Sequence, residues 1–269
     1  MTFRECIELL RAAGIENPEY DARELFIKFA GCMRNEKIGN DTASDSQLLL
    51  AAVEERCKRQ PLQYIIGEVG FYRELYAVSP DCLIPRQDTE TLVDFAVKNL
   101  SCGARFLDLC TGSGCIAISV LKNTVGTTAL AVDISYGALD IAKKNAEKNG
   151  VSNRIDFLRA DALAGVVSEK FDAILSNPPY VSNSEYNSLQ PELFFEPKIA
   201  LVGGDDGADF YRALIPLYKG HLNPGGFLAF EIGAFQADIL TLLAAENGML
   251  IEILKDLGGN DRVAVLRKP

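Results

Sequence analysis

The 269-residue chain has no tryptophan, a single histidine, and no apolar stretch long enough to span a bilayer. Its first residues include an early acid and soon become amphipathic, so neither a signal peptide nor a transit peptide is expected. The one histidine, His221, lies in a turn-rich segment, which argues against histidine triads and clustered histidine ligands. These absences predict a cytoplasmic protein that does not bind membranes.

The cysteines and the net charge exclude further classes of protein. The seven cysteines are scattered and show no C-x-x-C spacing, so neither a disulfide framework nor a zinc site is indicated, and no metal is expected. The formal net charge is −10, and no strong basic tract is present to displace counterions from nucleic acid. We therefore expect no direct DNA binding and favour a protein partner.

The pattern of residues divides the chain into three parts. Residues 1–65 show capping-box spacing at Thr2-Phe3-Arg4-Glu5, an N-cap followed by proline at Asn17-Pro18, and apolar stripes. These features predict a small helical bundle. Residues 66–88 mix turn residues with β-formers and predict a hairpin that links two domains. Residues 89–269 open with a helix and then alternate between strands and helices, which predicts an α/β domain with a parallel sheet covered on both faces.

Seven strands are predicted in this last part. They are residues 105–109, 130–134, 155–158, 171–175, 227–232, 250–254 and 263–266. The last two lie close together, with Gly258-Gly259-Asn260 between them, and this predicts an antiparallel hairpin at one edge of the sheet.

The most informative stretch follows the predicted strand 171–175 and reads Asn177-Pro178-Pro179-Tyr180. Each proline fixes its own φ and restricts the residue before it, so the strand ends in a stiff, extended corner. The corner offers carbonyl oxygens and the Asn177 side-chain oxygen as acceptors, and Tyr180 adds a flat face. This set suits a planar group with N–H donors, such as an amide or an exocyclic amine.

A second signal is the end of the first strand and the turn after it. Its residues are Asp108, Cys110, Thr111, Gly112, Ser113 and Gly114. The glycines let the backbone approach a ligand closely, and the spacing also matches the loose dinucleotide fingerprint. A carboxylate at Asp108 suits a cationic group better than a pyrophosphate.

Acidic residues also stand at the ends of the next two predicted strands. Asp133 lies where a carboxylate accepts hydrogen bonds from ribose hydroxyls. Asp161, followed by Ala162, can accept from an adenine amine or simply cap the helical turn after it. A nicotinamide cofactor and S-adenosylmethionine both suit the glycine turn and Asp133, whereas Asp108 and Asp161 favour S-adenosylmethionine.

Together these segments resemble the motif series of class I S-adenosylmethionine-dependent methyltransferases. The Asn-Pro-Pro-Tyr form is similar to that of enzymes that methylate a nitrogen of a planar group. The flanking segments resemble the protein-(glutamine-N5) methyltransferases of peptide chain release factors. Those segments are residues 61–65, 83–90, 196–201, 203–207 and 260–263. Cys110 departs from the family's usual glycine, and Ala162 stands where the residue is often larger.

The resemblance implies a Rossmann-like mixed sheet with an antiparallel last strand, preceded by a helical domain that binds the substrate. It implies S-adenosylmethionine as the methyl donor and a release-factor glutamine as the acceptor. Asn177 and Pro178 would accept the two amide hydrogens, while Pro179 and Tyr180 would complete the slot. Cofactor contacts are expected from the glycine turn, Asp133, Asp161, Ala162 and Asn177. A monomer is expected.

Other functions fit parts of the sequence. An adenine-N6 methyltransferase of DNA or RNA would use the same corner for a flipped base, but the acidic charge and the flanking segments speak against it. A nicotinamide-dependent oxidoreductase would leave the Asn-Pro-Pro-Tyr corner unexplained. A non-catalytic sensor of an adenosyl ligand would not need the catalytic groups.

Overall fold

The structure is a computed structural model that describes residues 1–165 and 167–269. The chain forms two compact units. The first contains Met1–Glu68 and Gln190–Phe195, and the second contains Val69–Leu189 and Glu196–Pro269. The segment 190–195 thus joins the N-terminal unit, although the predicted boundaries place it in the catalytic part.

Ten α-helices and nine strands are present in the described residues. The helices are α1 (Phe3–Ala12), α2 (Pro18–Phe29), α3 (Gln47–Cys57), α4 (Leu62–Ile66), α5 (Glu90–Asn99), α6 (Cys115–Asn123), α7 (Tyr136–Lys148), α8 (Asn183–Tyr186), α9 (Asp209–Tyr218) and α10 (Ala237–Glu246). The strands are β1 (Glu68–Phe71), β2 (Glu74–Ala77), β3 (Arg105–Leu109), β4 (Thr128–Asp133), β5 (Ile155–Arg159), β6 (Phe171–Ser176), β7 (Leu222–Glu231), β8 (Leu250–Lys255) and β9 (Asp261–Arg267).

The first unit is a helical bundle built from α1 to α4. The Thr2 hydroxyl accepts from the Glu5 backbone N–H, and the Glu5 carboxylate accepts from that of Thr2, which confirms the predicted capping box. Helix α2 begins at Pro18 with Asn17 at its N-cap position, as predicted, although the Asn17 side chain makes no capping hydrogen bond. The apolar faces of these helices share one core.

A buried ionic network fixes the segment 190–195 within this unit. The Arg56 guanidinium donates from Nε to Asp21 at 2.7 Å and from Nη1 to Glu192 at 3.1 Å. Arg59 donates to the second oxygen of Glu192 at 2.8 Å. Burial raises the pKa of Asp21, and Arg56 opposes that rise. Each charge is thus compensated by a partner within hydrogen-bond reach.

The second unit contains a seven-stranded sheet with the order β5-β4-β3-β6-β7-β9-β8. The first five strands in this order, β5, β4, β3, β6 and β7, pair in parallel. Strand β9 pairs antiparallel with both β7 and β8. Two apolar clusters include residues of this sheet and of the helices packed on it. This arrangement confirms the predicted mixed sheet and its antiparallel last strand. The order of the strands reverses between β3 and β6, which is where open sheets of this kind bind ligands.

The seven predicted strands are all present in this sheet, although most of their ends differ. The largest difference is in β7, which begins at Leu222 and not at the predicted residue 227. The pairing with β6 moves from Leu222 directly to Phe227, so the residues between them form an irregularity within the strand. Their Pro-Gly-Gly sequence is typical of a turn, so the sequence alone does not predict the first part of this strand.

A separate two-stranded sheet lies within residues 66–88, as predicted. Its strands β1 and β2 are joined by Tyr72 and Arg73, which both have positive φ, +47° and +75°. Two such residues match the twist of the strands that they connect. None of the helices within residues 1–165 and 167–269 is long and apolar enough to cross a membrane.

We expect the substitution Arg56→Ala to lower the free energy of unfolding by roughly 3–5 kcal/mol, because it leaves the buried Asp21 carboxylate without its cation. Urea unfolding followed by circular dichroism measures the change. Lys58→Ala is the matched control, because Lys58 forms only an exposed pair with Glu55, and it should change stability by less than about 0.5 kcal/mol. Equal effects of the two substitutions would contradict a stabilising role for this network.

Candidate active site

The candidate site lies where β3 and β6 end side by side. Leu109 at the end of β3 is paired with Ser176 at the end of β6. The buried Ser176 hydroxyl donates to the Leu109 carbonyl at 2.7 Å. The glycine turn 110–114 and the corner 177–180 therefore leave the sheet from adjacent positions.

The glycine turn adopts a left-handed backbone at three of its residues. Cys110, Gly112 and Gly114 have φ of +57°, +56° and +80°. For Cys110 this conformation costs roughly 1–2 kcal/mol relative to right-handed backbone, which explains why glycine suits the position. At Gly114 a Cβ atom would lie only 2.9 Å from the side chain of Ile118, so the start of α6 has no space for a side chain.

The Asp108 carboxylate stabilises this turn through hydrogen bonds. It is fully buried, and its Oδ2 accepts from the Thr111 hydroxyl at 2.5 Å and from the Ala117 backbone N–H at 3.3 Å. Burial raises the pKa of Asp108 to about 7, and Oδ1 has no hydrogen-bond partner among the described residues. The sequence predicts that Asp108 lies beside a bound cation, but the structure places it behind the turn and outside the lining of the cavity.

Asp133 joins the turn to the end of β4. Its Oδ2 accepts from the Gly112 backbone N–H at 2.8 Å, and its Oδ1 accepts from the Ser135 backbone N–H at 2.9 Å. Burial raises the pKa of Asp133, while the Ser135 and Gly112 N–H groups oppose that rise. Each oxygen keeps further acceptor capacity for a ligand.

Asp161 and Ala162 lie at the end of β5 and line the same cavity. The Asp161 carboxylate accepts from the Leu163 backbone N–H at 2.9 Å and caps the short turn that follows, which is the simpler of its two predicted roles. Ile134 and Leu163 add exposed apolar side chains to the cavity wall. This part of the wall suits a flat apolar ring with a polar edge.

The corner after β6 contributes Asn177 and Pro179 to the cavity lining. The Asn177 Nδ2 donates to the Thr89 hydroxyl oxygen at 3.4 Å. Pro178 is buried and, like Tyr180, does not line the cavity. The Tyr180 hydroxyl donates to the Glu231 carboxylate at 3.2 Å, so a residue predicted to face the substrate is held by a buried acid.

Two glycines pack closely against the backbone of this corner. A Cβ atom on Gly203 would lie 2.4 Å from the Pro179 carbonyl oxygen, and one on Gly207 would lie 2.1 Å from that of Tyr180. The Gln236 side chain donates to the Tyr180 carbonyl at 3.0 Å. The prediction that the corner's carbonyls are free to accept is therefore wrong for Tyr180.

The segment between the corner and these glycines begins and ends at neighbouring positions. Val181 and Val202 form an isolated parallel bridge. The Val181 N–H donates to the Leu201 carbonyl and the Gly203 N–H donates to the Val181 carbonyl, both at 2.9 Å. The residues between them form a closed loop, of the kind that is usually functional.

An ion pair joins two of the flanking segments beside the cavity. The buried Glu196 carboxylate pairs with Arg86 and accepts from the Ile84 backbone N–H at 2.9 Å. Both Arg86 and Pro197 line the cavity. Residues 83–90 and 196–201 are far apart in the sequence, and this ion pair brings them together beside the cavity.

The cavity brings together most of the residues predicted for it. Predicted residues on its lining are Cys110, Thr111, Gly112, Ser113, Asp133, Asp161, Ala162, Asn177 and Pro179. Lining residues that sequence reasoning missed include Cys82, Arg86, Thr89, Ser135, Pro197 and Phe210. The motif at 83–90 carried a signal for Arg86 and Thr89, and that at 196–201 carried one for Pro197, whereas nothing in the sequence singles out Phe210. His221 immediately precedes β7, at the amino-terminal end of that strand, and does not line the cavity.

Comparisons with known proteins identify relatives that match nearly the whole chain. Residues 2–67 match the model of the PrmC N-terminal domain, and residues 87–204 match that of the methyltransferase small domain. The chain is 40% identical over 266 residues to the release factor glutamine methyltransferase of Rhodospirillum rubrum, covering 96% of this chain and 82% of that protein. It is 37% identical to the enzyme of that name from Cereibacter sphaeroides, covering 99% and 97%.

A solved structure resembles a large part of the chain. The ribosomal protein L11 methylase of Lactobacillus delbrueckii subsp. bulgaricus aligns with a TM-score of 0.53 at 25% identity, covering 71% of this chain and 83% of that one. This likeness supports the methyltransferase fold. On the strength of the relatives that match nearly its full length, the chain belongs to the release factor glutamine methyltransferase family.

Proposed function

We propose that this protein methylates the side-chain amide nitrogen of the glutamine in the Gly-Gly-Gln loop of a peptide chain release factor, with S-adenosylmethionine as the methyl donor. One observation carries the proposal: the Asn177 corner and the Asp133 carboxylate line a single cavity at the point where the order of the strands reverses. The family relationship supplies the substrate class.

The residues of the cavity suit S-adenosylmethionine. Asp133 keeps acceptor capacity for ribose hydroxyls, and Ile134 and Leu163 offer apolar contacts for the adenine ring, next to Asp161. When bound, this cofactor supplies a methyl group on a positively charged sulfur that is already a good leaving group.

The corner would orient the glutamine amide. The Asn177 Oδ1 and the Pro178 carbonyl each accept one amide hydrogen, and this holds the nitrogen with its π face toward the methyl donor. Pro179, which lines the cavity, would restrict the plane of the amide, while Tyr180, held by Glu231 outside the lining, would support the corner. Positioning of two bound reactants can supply roughly 7–11 kcal/mol. We therefore expect no essential general base.

The helical unit is proposed to bind the release factor away from the reacting loop. Segment 190–195 packs within that unit, while the residues before and after it belong to the second unit. The closed loop between Val181 and Val202 therefore takes part in both units. A substrate that contacts the helices can in this way influence the loop that borders the corner.

For Asn177→Ala we expect a loss in kcat of roughly 100-fold or more, comparable to the removal of one well-placed hydrogen-bonding group from an active site. The affinity for S-adenosylmethionine should fall only slightly, because the other cavity residues remain. Steady-state methylation of a release factor and calorimetric binding measure the two effects. Asn99→Ala serves as the control, because Asn99 is an exposed helix residue. Near-normal turnover of the Asn177 variant would refute the proposed role.

Asp133→Ala should weaken S-adenosylmethionine binding by about 10- to 100-fold, since hydrogen bonds to a charged group are worth roughly 1.5–3 kcal/mol. Isothermal titration calorimetry measures the change. Asp140→Ala, on the outer part of α7, is the matched control and should bind normally. An unchanged affinity in the Asp133 variant would contradict the ribose assignment.

The substrate class is tested with S-adenosylmethionine that carries a labelled methyl group. The protein is incubated with a release factor, with the same factor bearing alanine in place of the Gly-Gly-Gln glutamine, or with duplex DNA. We expect the label only on the unaltered factor. Label on DNA would support the adenine-N6 alternative, and label on the altered factor would place the reaction at another residue.

A further inference from the structure

Arg86 is a cation on the wall of the cavity, and the proposed mechanism leaves it without a role. Among the described residues that line the cavity it is the only lysine, arginine or histidine, whereas Asp81, Asp133 and Asp161 are acidic. The Arg86 side chain is 35% exposed, so a ligand can reach it. An anionic part of a ligand in this cavity therefore has one side chain with which it can form an ion pair.

A buried carboxylate fixes the position of this arginine. Arg86 donates from Nη2 to the Glu196 Oε1, and the second oxygen of Glu196 accepts from the Ile84 backbone N–H at 2.9 Å. The Glu196 side chain is only 2% exposed. Within the described residues, Glu196 is the only hydrogen-bond partner of the Arg86 side chain. Because a guanidinium has five N–H donors in a rigid plane, Arg86 keeps donors for a second carboxylate.

The order of the strands shows on which side of the cavity Arg86 lies. Asp161 follows β5 and Asp133 ends β4, so the surfaces proposed for adenine and ribose lie on one side of β3. Asn177 follows β6 on the other side, and its Nδ2 donates to the Thr89 hydroxyl oxygen at 3.4 Å. The Thr89 backbone N–H donates to the Arg86 carbonyl at 3.1 Å. Arg86 therefore belongs to the segment beside Asn177.

The glycine turn has few free donors for an anion, although its sequence suggests otherwise. The Thr111 N–H donates to the Val132 carbonyl at 3.0 Å, and the Gly114 N–H donates to the Thr111 carbonyl at 2.9 Å. The Gly112 N–H donates to the Asp133 carboxylate at 2.8 Å. Three backbone donors of the turn are thus committed within the protein, which makes Arg86 the stronger partner for a negative charge.

The proposed methyl donor carries such a charge. With its ribose at Asp133 and its methyl group at Asn177, its amino-acid end has to extend beyond the sulfur along the rest of the lining. On the Asn177 side, that lining includes residues of the segment 81–89. The amino-acid end bears a carboxylate, and a buried charge is costly unless it is paired.

We propose that Arg86 binds the carboxylate at the amino-acid end of S-adenosylmethionine, and that Glu196 is the positioning residue that holds the Arg86 guanidinium. The inference rests on the proposed function, because it takes S-adenosylmethionine as the ligand. Arg86 then determines specificity for the complete amino-acid end, and adenosyl ligands without the carboxylate bind more weakly.

The test compares S-adenosylmethionine with decarboxylated S-adenosylmethionine, which lacks only that carboxylate. Isothermal titration calorimetry measures the affinity of the full-length wild type and of Arg86→Ala for each ligand. We expect Arg86→Ala to bind S-adenosylmethionine about 10- to 100-fold more weakly, because it loses a charge-assisted hydrogen-bonded pair. Its affinity for the decarboxylated ligand should stay the same or rise, because no cation then faces the positively charged ligand.

Two further substitutions serve as references. Arg105→Ala is the matched control, because Arg105 is 33% exposed, pairs with Glu169 at 2.9 Å and does not line the cavity. It should leave both affinities unchanged. Arg86→Lys keeps the positive charge without the planar fork, and it should retain part of the preference for the complete ligand.

A double variant keeps the test valid if Arg86→Ala does not fold. Arg86→Ala leaves Glu196 buried without its cation, which lowers stability. The combination of Arg86→Gln with Glu196→Gln removes both charges and keeps polar side chains at both positions. Urea unfolding checks that this variant is folded. We expect it to lose the preference for the complete ligand in the same way as Arg86→Ala.

The ratio of the two affinities decides the outcome. A preference for the complete ligand that falls in the Arg86 variants and not in Arg105→Ala supports the proposal. Equal losses for both ligands would show that Arg86 acts only through the fold, and would overturn it, as would an unchanged affinity for S-adenosylmethionine. If the wild type itself does not bind S-adenosylmethionine, the proposed function fails together with this inference, which is a different result from equal losses in the variants.

Discussion

The site depends on the pairing of β3 with β6. These strands are neighbours only because the sheet order reverses there, and the buried hydrogen bond from Ser176 to the Leu109 carbonyl joins their ends. The glycine turn and the Asn177 corner start from these two adjacent positions. Any change that moved one strand by a residue would reverse the faces of its side chains and separate the two halves of the site.

Two buried carboxylates support the two halves in the same way. Asp108 accepts hydrogen bonds that close the glycine turn, and Glu231 accepts from the tyrosine of the corner. Each carboxylate has one oxygen without a partner among the described residues, and burial raises the pKa of each to about 7. These buried acceptors lower stability, and they hold Thr111, which lines the cavity, and Tyr180 of the corner.

The backbone around the corner is controlled by close approach. Gly203 and Gly207 leave no space for a side chain against the Pro179 and Tyr180 carbonyls, and Gln236 occupies one of those carbonyls. The stiffness that two prolines give to the corner is therefore reinforced from outside. The same glycines end the loop that begins at Val181, so the corner and the loop share one support.

The sequence by itself determined the order of strands and helices, the mixed sheet, and the positions of the glycine turn, Asp133 and Asn177, because these depend on local periodicity, turn chemistry and strand ends. Only the tertiary structure decided what each polar group contacts. It placed Asp108 behind the turn, turned Tyr180 toward Glu231, and brought Arg86 to Glu196 across a long separation in sequence. Such pairings follow from the packing of distant segments, and local sequence patterns do not predict that packing.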